Sequence, residues 1–332
     1  MNKAKCNEYD YINFLVAAQT VFSATEAARS HPGHENSAAH DAYTRLLQRI
    51  PPDTAALWRE VKPLVKRKQG VLGIDDSTLD KPHASNMALV TSHWSGKHHR
   101  VVRGINLISL LWTQAADDRL PCDFRIYNQA VDGIDKNEHM RQMLDVAAER
   151  EFEPELVMFD SWYSGLDNLK RVRKHQWHWL TRLKSNRLVS LYRGQHLAIG
   201  AVLIPQNGFI VHLKGYGWIK VFRTVAPNGD AAYWATNKLD MSLEQCATYA
   251  LDAWQIEVYH RGLKQFTGIE RGQFRLEVSQ RNHIGCAIRA YLRLEVHRIR
   301  TGITWFEMKV CIIREAIRDY LAHPHLIIQP TA

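Results

Sequence analysis

Apolar residues recur at helical spacing over residues 11–22 and 42–50, and Ser23-Ala24-Thr25-Glu26 has the form of a capping box. Pro51-Pro52 interrupts the chain before another helical stretch over 53–66. Residues 1–68 therefore read as a cluster of short helices, a plausible DNA-binding region. From Gly70 the period shortens. Residues 71–75 form an apolar run ending in acid, and 87–94 and 101–112 follow as β-rich segments. A helix is expected over 137–150, with Met140, Met143, Leu144 and Ala147 facing a core. Next come a strand over 156–159 ending at Asp160, a helix over 163–174 and a strand over 177–183. The order is β-β-β-α-β-α-β, with acids at the ends of the first and fourth strands.

Short strands are then expected over 188–192, 209–213, 218–225 and 231–235, punctuated by Asn207-Gly208 and by Asn228-Gly229, a hairpin signal. Helical periodicity returns over 242–266, 282–301 and 304–322. The pattern divides the chain into a helical region (1–68), the first part of an α/β core (69–183), a β-rich insertion (184–240), and the second part of the core with C-terminal helices (241–332).

Composition adds charge to this outline. The 332 residues include 43 Lys and Arg against 34 Asp and Glu, a formal charge of +9. The excess is local: residues 166–225 hold eleven basic residues and one acid, Asp167, for a charge of +10, so the remainder is nearly neutral. Residues 258–318 add twelve Lys or Arg against five Glu. Such acid-poor segments, interleaved with Trp177, Trp179, Tyr192, Tyr216 and Trp218, suit a polyanion: cations displace counterions from phosphates and flat rings stack on bases. A carbohydrate hydrolase with two carboxylates and tryptophan platforms would leave this charge unexplained. The absence of an 18-residue apolar stretch or apolar leader predicts a soluble cytoplasmic protein with no membrane partner. The five scattered cysteines, none spaced CxxC, predict reduced thiols. His31, His34 and His40, or His93, His98 and His99, lack the spacing of a zinc site and read as surface or DNA-contacting residues.

Three carboxylates carry the chemistry. Aspartates ending adjacent parallel strands lie close together, which pairs Asp76, preceded by Asp75, with Asp160. Singly, each could be a turn former or helix cap. Glu257 joins them from a partly apolar helical segment, where it shares one face with Arg261 and Lys264. That stripe could be an intrahelical ion pair. Three converging acids, however, repel one another unless cations neutralise them, and magnesium with its preference for oxygen ligands is suited to that.

The run Gly73-Ile74-Asp75-Asp76-Ser77-Thr78, then Val157-Met158-Phe159-Asp160-Ser161-Trp162-Tyr163, then Trp254-Gln255-Ile256-Glu257 through Lys264-Gln265, resembles the DDE transposases of bacterial insertion sequences, in the cut-and-paste branch with a β-rich insertion before the glutamate. The resemblance implies an RNase H-like mixed sheet flanked by helices. It also implies two Mg²⁺ ions, with Mn²⁺ possible, and nicking followed by strand transfer. The DNA partners would be terminal inverted repeats and target DNA, bound by a homodimer at the nucleoid. By motif the catalytic, metal-holding acids map to Asp76, Asp160 and Glu257, with Asp75 the alternative to Asp76. Lys264 and Arg261 would hold DNA backbone, joined by Arg182, Lys184, Arg187, Lys170 and Arg173. Trp162 would stack on a displaced base or, as the commoner reading, sit in the core. Two family positions differ: Ala253 stands where an arginine is usual, and Ala250 where a tyrosine is. The lost arginine favours the competing reading, a catalytically silent DNA-binding descendant; retention of all three acids opposes it.

Overall fold

The computed structural model describes residues 4–33, 38–95, 99–115, 117–192, 195–226 and 228–324. Four short helices come first: α1 (Glu8–Ala17), α2 (Ala24–Arg29), α3 (Ala42–Arg49) and α4 (Ala55–Val61). Then follow β1 (Val71–Asp80), β2 (Thr91–Ser95), β3 (Arg100–Thr113), β4 (Leu120–Tyr127), α5 (Gln129–Asp132), α6 (Lys136–Glu149), β5 (Leu156–Phe159), α7 (Leu166–Lys174) and β6 (Trp179–Leu183). Five strands succeed them: β7 (Leu188–Ser190), β8 (Leu197–Ala198), β9 (Phe209–Leu213), β10 (Gly217–Val225) and β11 (Ala231–Thr236). Helices α8 (Leu243–Asp252), α9 (Trp254–Phe266), α10 (Glu277–Thr301) and α11 (Trp305–Ala322) complete the order. Their starts follow local chemistry. Ser23 accepts the Glu26 N–H at 3.0 Å, and Asn7/Asp10, Ser242/Gln245 and Thr304/Glu307 are reciprocal capping boxes.

The strands form one mixed sheet in the order β2-β3-β1-β5-β6-β11-β10-β9-β7-β8, with β4 also on β3. Its heart is the RNase H-like arrangement: β4, β3 and β1 antiparallel, then β5 and β6 parallel to β1. The β-rich segment after residue 183 continues this sheet, because β11 pairs antiparallel with β6 (Tyr233↔Leu183) and covers an edge that would otherwise be open. Strand β4 was not expected from the sequence. Pro121 and the charged Asp123 and Arg125 break its apolar pattern, but a register shift at Leu110/Leu111 accommodates the proline, and Arg125 bonds Asp123 at 2.6 Å. Met140, Met143, Leu144 and Ala147 are fully buried, as the helical spacing requires.

Two compact units result: residues 54–84 with 89–260, which contain the sheet, and residues 1–53 with 85–88 and 261–332. In the second unit α1 and α3 pack on α10. Helix ends leave carbonyls that need donors, and buried side chains supply them: Asn282 donates to Leu47 O (2.8 Å) and Ile50 O (2.7 Å) at the end of α3, and Lys309 to Ala18 O (2.6 Å) at the end of α1. Gly268 of this unit is left-handed (φ +64°), and a Cβ there would lie 2.3 Å from the Phe22 ring. Gly268→Ala is therefore expected to cost about 1–3 kcal/mol, read as a lowered midpoint in urea unfolding; an unchanged midpoint would show that Phe22 yields freely.

None of the five cysteines is in a disulfide; four are buried and Cys311 is exposed. No described helix is long and apolar enough to cross a membrane.

Candidate active site

Strand β1 runs through both aspartates, because its long antiparallel partner β3 keeps residues 71–80 paired; the parallel pairing to β5 stops at Ile74↔Phe159. Asp75 and Asp160 therefore follow at the same level, one residue past the last parallel pair. Successive side chains of a strand point to opposite faces. Val71, Gly73 and Asp75 line the face covered by α9, where a Cβ on Gly73 would lie 3.8 Å from Ile256. Asp76 points to the other face.

On the α9 face, a cavity of about 270 Å³ is lined by Asp75, Asp160, Glu257, Arg182, Trp234, Ala253 and Trp254 among others. Glu257 enters it from the first turn of α9, and His260 lies one turn on, buried. Ligand atoms of Asp75, Glu257 and His260 lie within 4.8 Å of one another, the one group of this kind among the described residues. Neither histidine set noted in the sequence forms such a group there: His31 bonds Tyr43 and His93 bonds Thr91, while His34 and His98 lie outside the described residues.

The electrostatics separate the two aspartates. Burial pushes the Asp75 carboxyl well above the usual range, and the charges of Asp76, Asp160 and Glu257 push it further. Burial acts on Asp76 too, but the Lys136 ammonium and hydrogen bonds from Asn106, Lys136 and Tyr163 outweigh it and hold the carboxyl below the usual range. Those donors lie at 2.7 Å (Asn106 Nδ2), 2.8 Å (Lys136 Nζ) and 2.9 Å (Tyr163 OH). Asp160, open to solvent on one side, is raised by desolvation on the other, against bonds from the Tyr163 and Trp162 N–H groups and the nearby Arg182 charge. Its cap role and its place in the cavity coexist: Oδ1 starts the turn Ser161–Tyr163.

The structure thus brings Asp75, Asp160 and Glu257 into one cavity and ties Asp76 to Lys136. The motif maps the first acid to Asp76 with Asp75 as its alternative; in the structure Asp75 shares the cavity with Glu257, and Asp76 lies on the other face of β1 against Lys136, Asn106 and Tyr163. Of the cationic candidates, Arg182 is exposed, lines the cavity and lies over the Trp234 ring at 5.7 Å. Lys170 and Lys184 are exposed. Arg173 donates to Tyr216 O at 2.8 Å and covers its ring, and Arg187 donates to Ser164 O at 3.2 Å. Lys264 and Arg261 continue α9 beyond Glu257; Lys264 pairs with Glu270 at 3.0 Å and Arg261 is exposed. Trp162 is 59 % exposed, so it is not a core residue; with Trp94, Lys136 and Asp160 it lines a second, open cavity. Sequence reasoning assigned no role to Lys136, Asn106 or Tyr163, whose convergence on Asp76 has no local signature. His260 was legible in principle, since Glu257-x-x-His260 puts two donors on one helix face.

Residues 67–293 match the family model described as "Transposase DDE domain". Among solved structures, the chain is similar to piggyBac transposase, in a cryo-EM synaptic complex with hairpin DNA. Identity is 9 % and the TM-score 0.55, over 98 % of this chain and 74 % of that one. No curated protein matches.

Proposed function

The chain belongs to the transposase DDE domain family, and from that premise we propose that it binds transposon ends and performs divalent-metal-dependent DNA cleavage and strand transfer. The observation that carries this reading is the convergence of Asp75, Asp160 and Glu257 in one cavity, with Asp75 under the charge of three other carboxylates. Such a concentration of negative charge at one cavity fits cations: ligand atoms of Asp75 and Glu257 lie within 4.8 Å of one another, and Asp160 faces the same space. Asp75, Asp160 and Glu257 would hold the metal, two Mg²⁺ ions by family resemblance. Bound there, the ions supply Lewis-acid stabilisation of charge on the transferring phosphoryl group. The chain's own part is to fix the carboxylates on a rigid strand pair and helix, and to hold the strand with cations.

Arg182 takes the phosphate contact that the family places at the position of Ala253. It lines the same cavity as Ala253, and its charge already acts on Asp160. Lys170, Arg173, Lys184, Arg187, Arg261 and Lys264 extend the hold on duplex DNA. We place the protein in the cytoplasm, on terminal repeats and target DNA, as a homodimer. The test is nicking of a plasmid carrying the native flanking DNA, with Mg²⁺ and then with EDTA. Metal-dependent cuts at the ends support the reading, whereas footprinting of the ends without cleavage would select the silent DNA-binding alternative. Arg182→Ala is expected to weaken end binding and to reduce the log–log salt slope by about 0.9, the share of one phosphate; an unchanged slope would remove Arg182 from the interface.

A further inference from the structure

We propose that His260 is a ligand of the cation in this site, binding through Nδ1, and that the mixed carboxylate–imidazole set favours Mn²⁺ over Mg²⁺. The inference rests on the metal-dependent reading above and goes beyond its three acids. His260 is 4 % exposed, and its Nδ1 lies 3.9 Å from Asp75 Oδ2. That separation is too long for a hydrogen bond. It suits two ligands of one ion: with metal–ligand bonds of about 2.1 Å in octahedral geometry, neighbouring donors stand about 3 Å apart and opposite ones about 4.2 Å. Glu257 completes the group within 4.8 Å. A Glu-x-x-His pair on one helix face is a recurrent way for a helix to present a carboxylate and an imidazole to one metal.

The other ring nitrogen supports this use. Nε2 lies 3.3 Å from the hydroxyl of Ser109, which is fully buried on β3 opposite Asp75. In the tautomer that donates Nε2–H to Ser109, the lone pair sits on Nδ1, towards the carboxylates. Metal-binding histidines are commonly oriented in this way by a partner on the far nitrogen. Ser109 is then a positioning residue. Nitrogen ligation matters for metal choice because Mg²⁺ prefers oxygen and loses water reluctantly, whereas imidazole suits transition-metal divalents better.

The experiment is pulsed EPR on the full chain loaded with Mn²⁺ alone, without DNA, comparing natural-abundance protein with protein labelled with ¹⁵N in histidine. The expected result is a ¹⁴N coupling that converts to ¹⁵N on labelling and disappears in His260→Gln, with Mn²⁺ affinity lowered about 10–100-fold and Mg²⁺ affinity lowered less. Ser109→Ala should keep the coupling but weaken Mn²⁺ binding about tenfold. Mn²⁺ bound with oxygen couplings only, or a nitrogen coupling that survives His260→Gln, overturns the role of His260 while leaving the carboxylate site standing. Failure of Mn²⁺ to bind at all overturns the metal site itself and this inference with it. Should His260→Gln not fold, the labelling result on the unaltered chain and the Ser109→Ala affinity still decide.

Discussion

Asp75→Asn is expected to abolish metal-dependent DNA cleavage while leaving the protein folded and more stable in metal-free buffer. The two halves of this result have one cause. Asp75 is a buried carboxylate beside three others, so its ionised form is destabilised until a cation arrives. Under the proposed function the substitution also removes a metal ligand, whose loss would cost several kcal/mol of transition-state stabilisation. At 1.36 kcal/mol per decade that is roughly a thousandfold or more in rate. A carboxyl raised in the folded state favours folding least when ionised, so its penalty is absent at low pH, grows as pH rises past the unfolded value of about 3.9, and is complete above the raised folded value. Metal-free thermal unfolding of the unaltered protein should therefore lose ground to Asp75→Asn as pH rises from about 4 to 7, and Mg²⁺ should restore it. Equal cleavage by both proteins would remove Asp75 from the site.

Asp76→Ala should behave in the opposite way, as a folding defect. Asp76 and Lys136 are each about four-fifths buried, and two further donors, Asn106 and Tyr163, point at the same carboxylate. Removing the acid strands the ammonium, which costs about 3–5 kcal/mol for a buried pair. The double variant Asp76→Ala with Lys136→Met should recover much of that loss, because no uncompensated charge remains. The pH dependence is also inverted. Asp76 is held below the usual carboxylate range, so its stabilisation is present above the unfolded value and is lost as pH falls through the lower folded one. Denaturant unfolding of the single and double variants measures both effects. A fully stable Asp76→Ala that has lost cleavage would reverse the assignment of the two aspartates.

Much of the molecule was legible along the chain. The cap at Ser23, the apolar spacing of α6 and the run Leu156–Phe159 are local patterns, set by contacts a few residues apart, and the structure contains all three. Asp160 and Glu257 stand out as candidates because each ends or begins an element whose direction is readable, and the structure places both at one cavity. Strand β4 was missed because its charged residues are satisfied by one another only after folding. The +10 segment is visible as composition, but only the fold shows that Arg173 donates one bond to Tyr216 O and that Arg182 lines the cavity.

Residue order alone carries the succession of strands and helices apart from β4, the supply of acids and cations, and the family to which their spacing belongs. Only the tertiary structure decided which aspartate faces Glu257. Adjacent residues of a strand differ by one step of the pleat, and that step acquires meaning once α9 lies on one face and Lys136 on the other. The same packing turned Asp76 into the partner of an ammonium, and set His260 between Asp75 and Ser109, a relation between α9, β1 and β3 that no spacing along the chain contains.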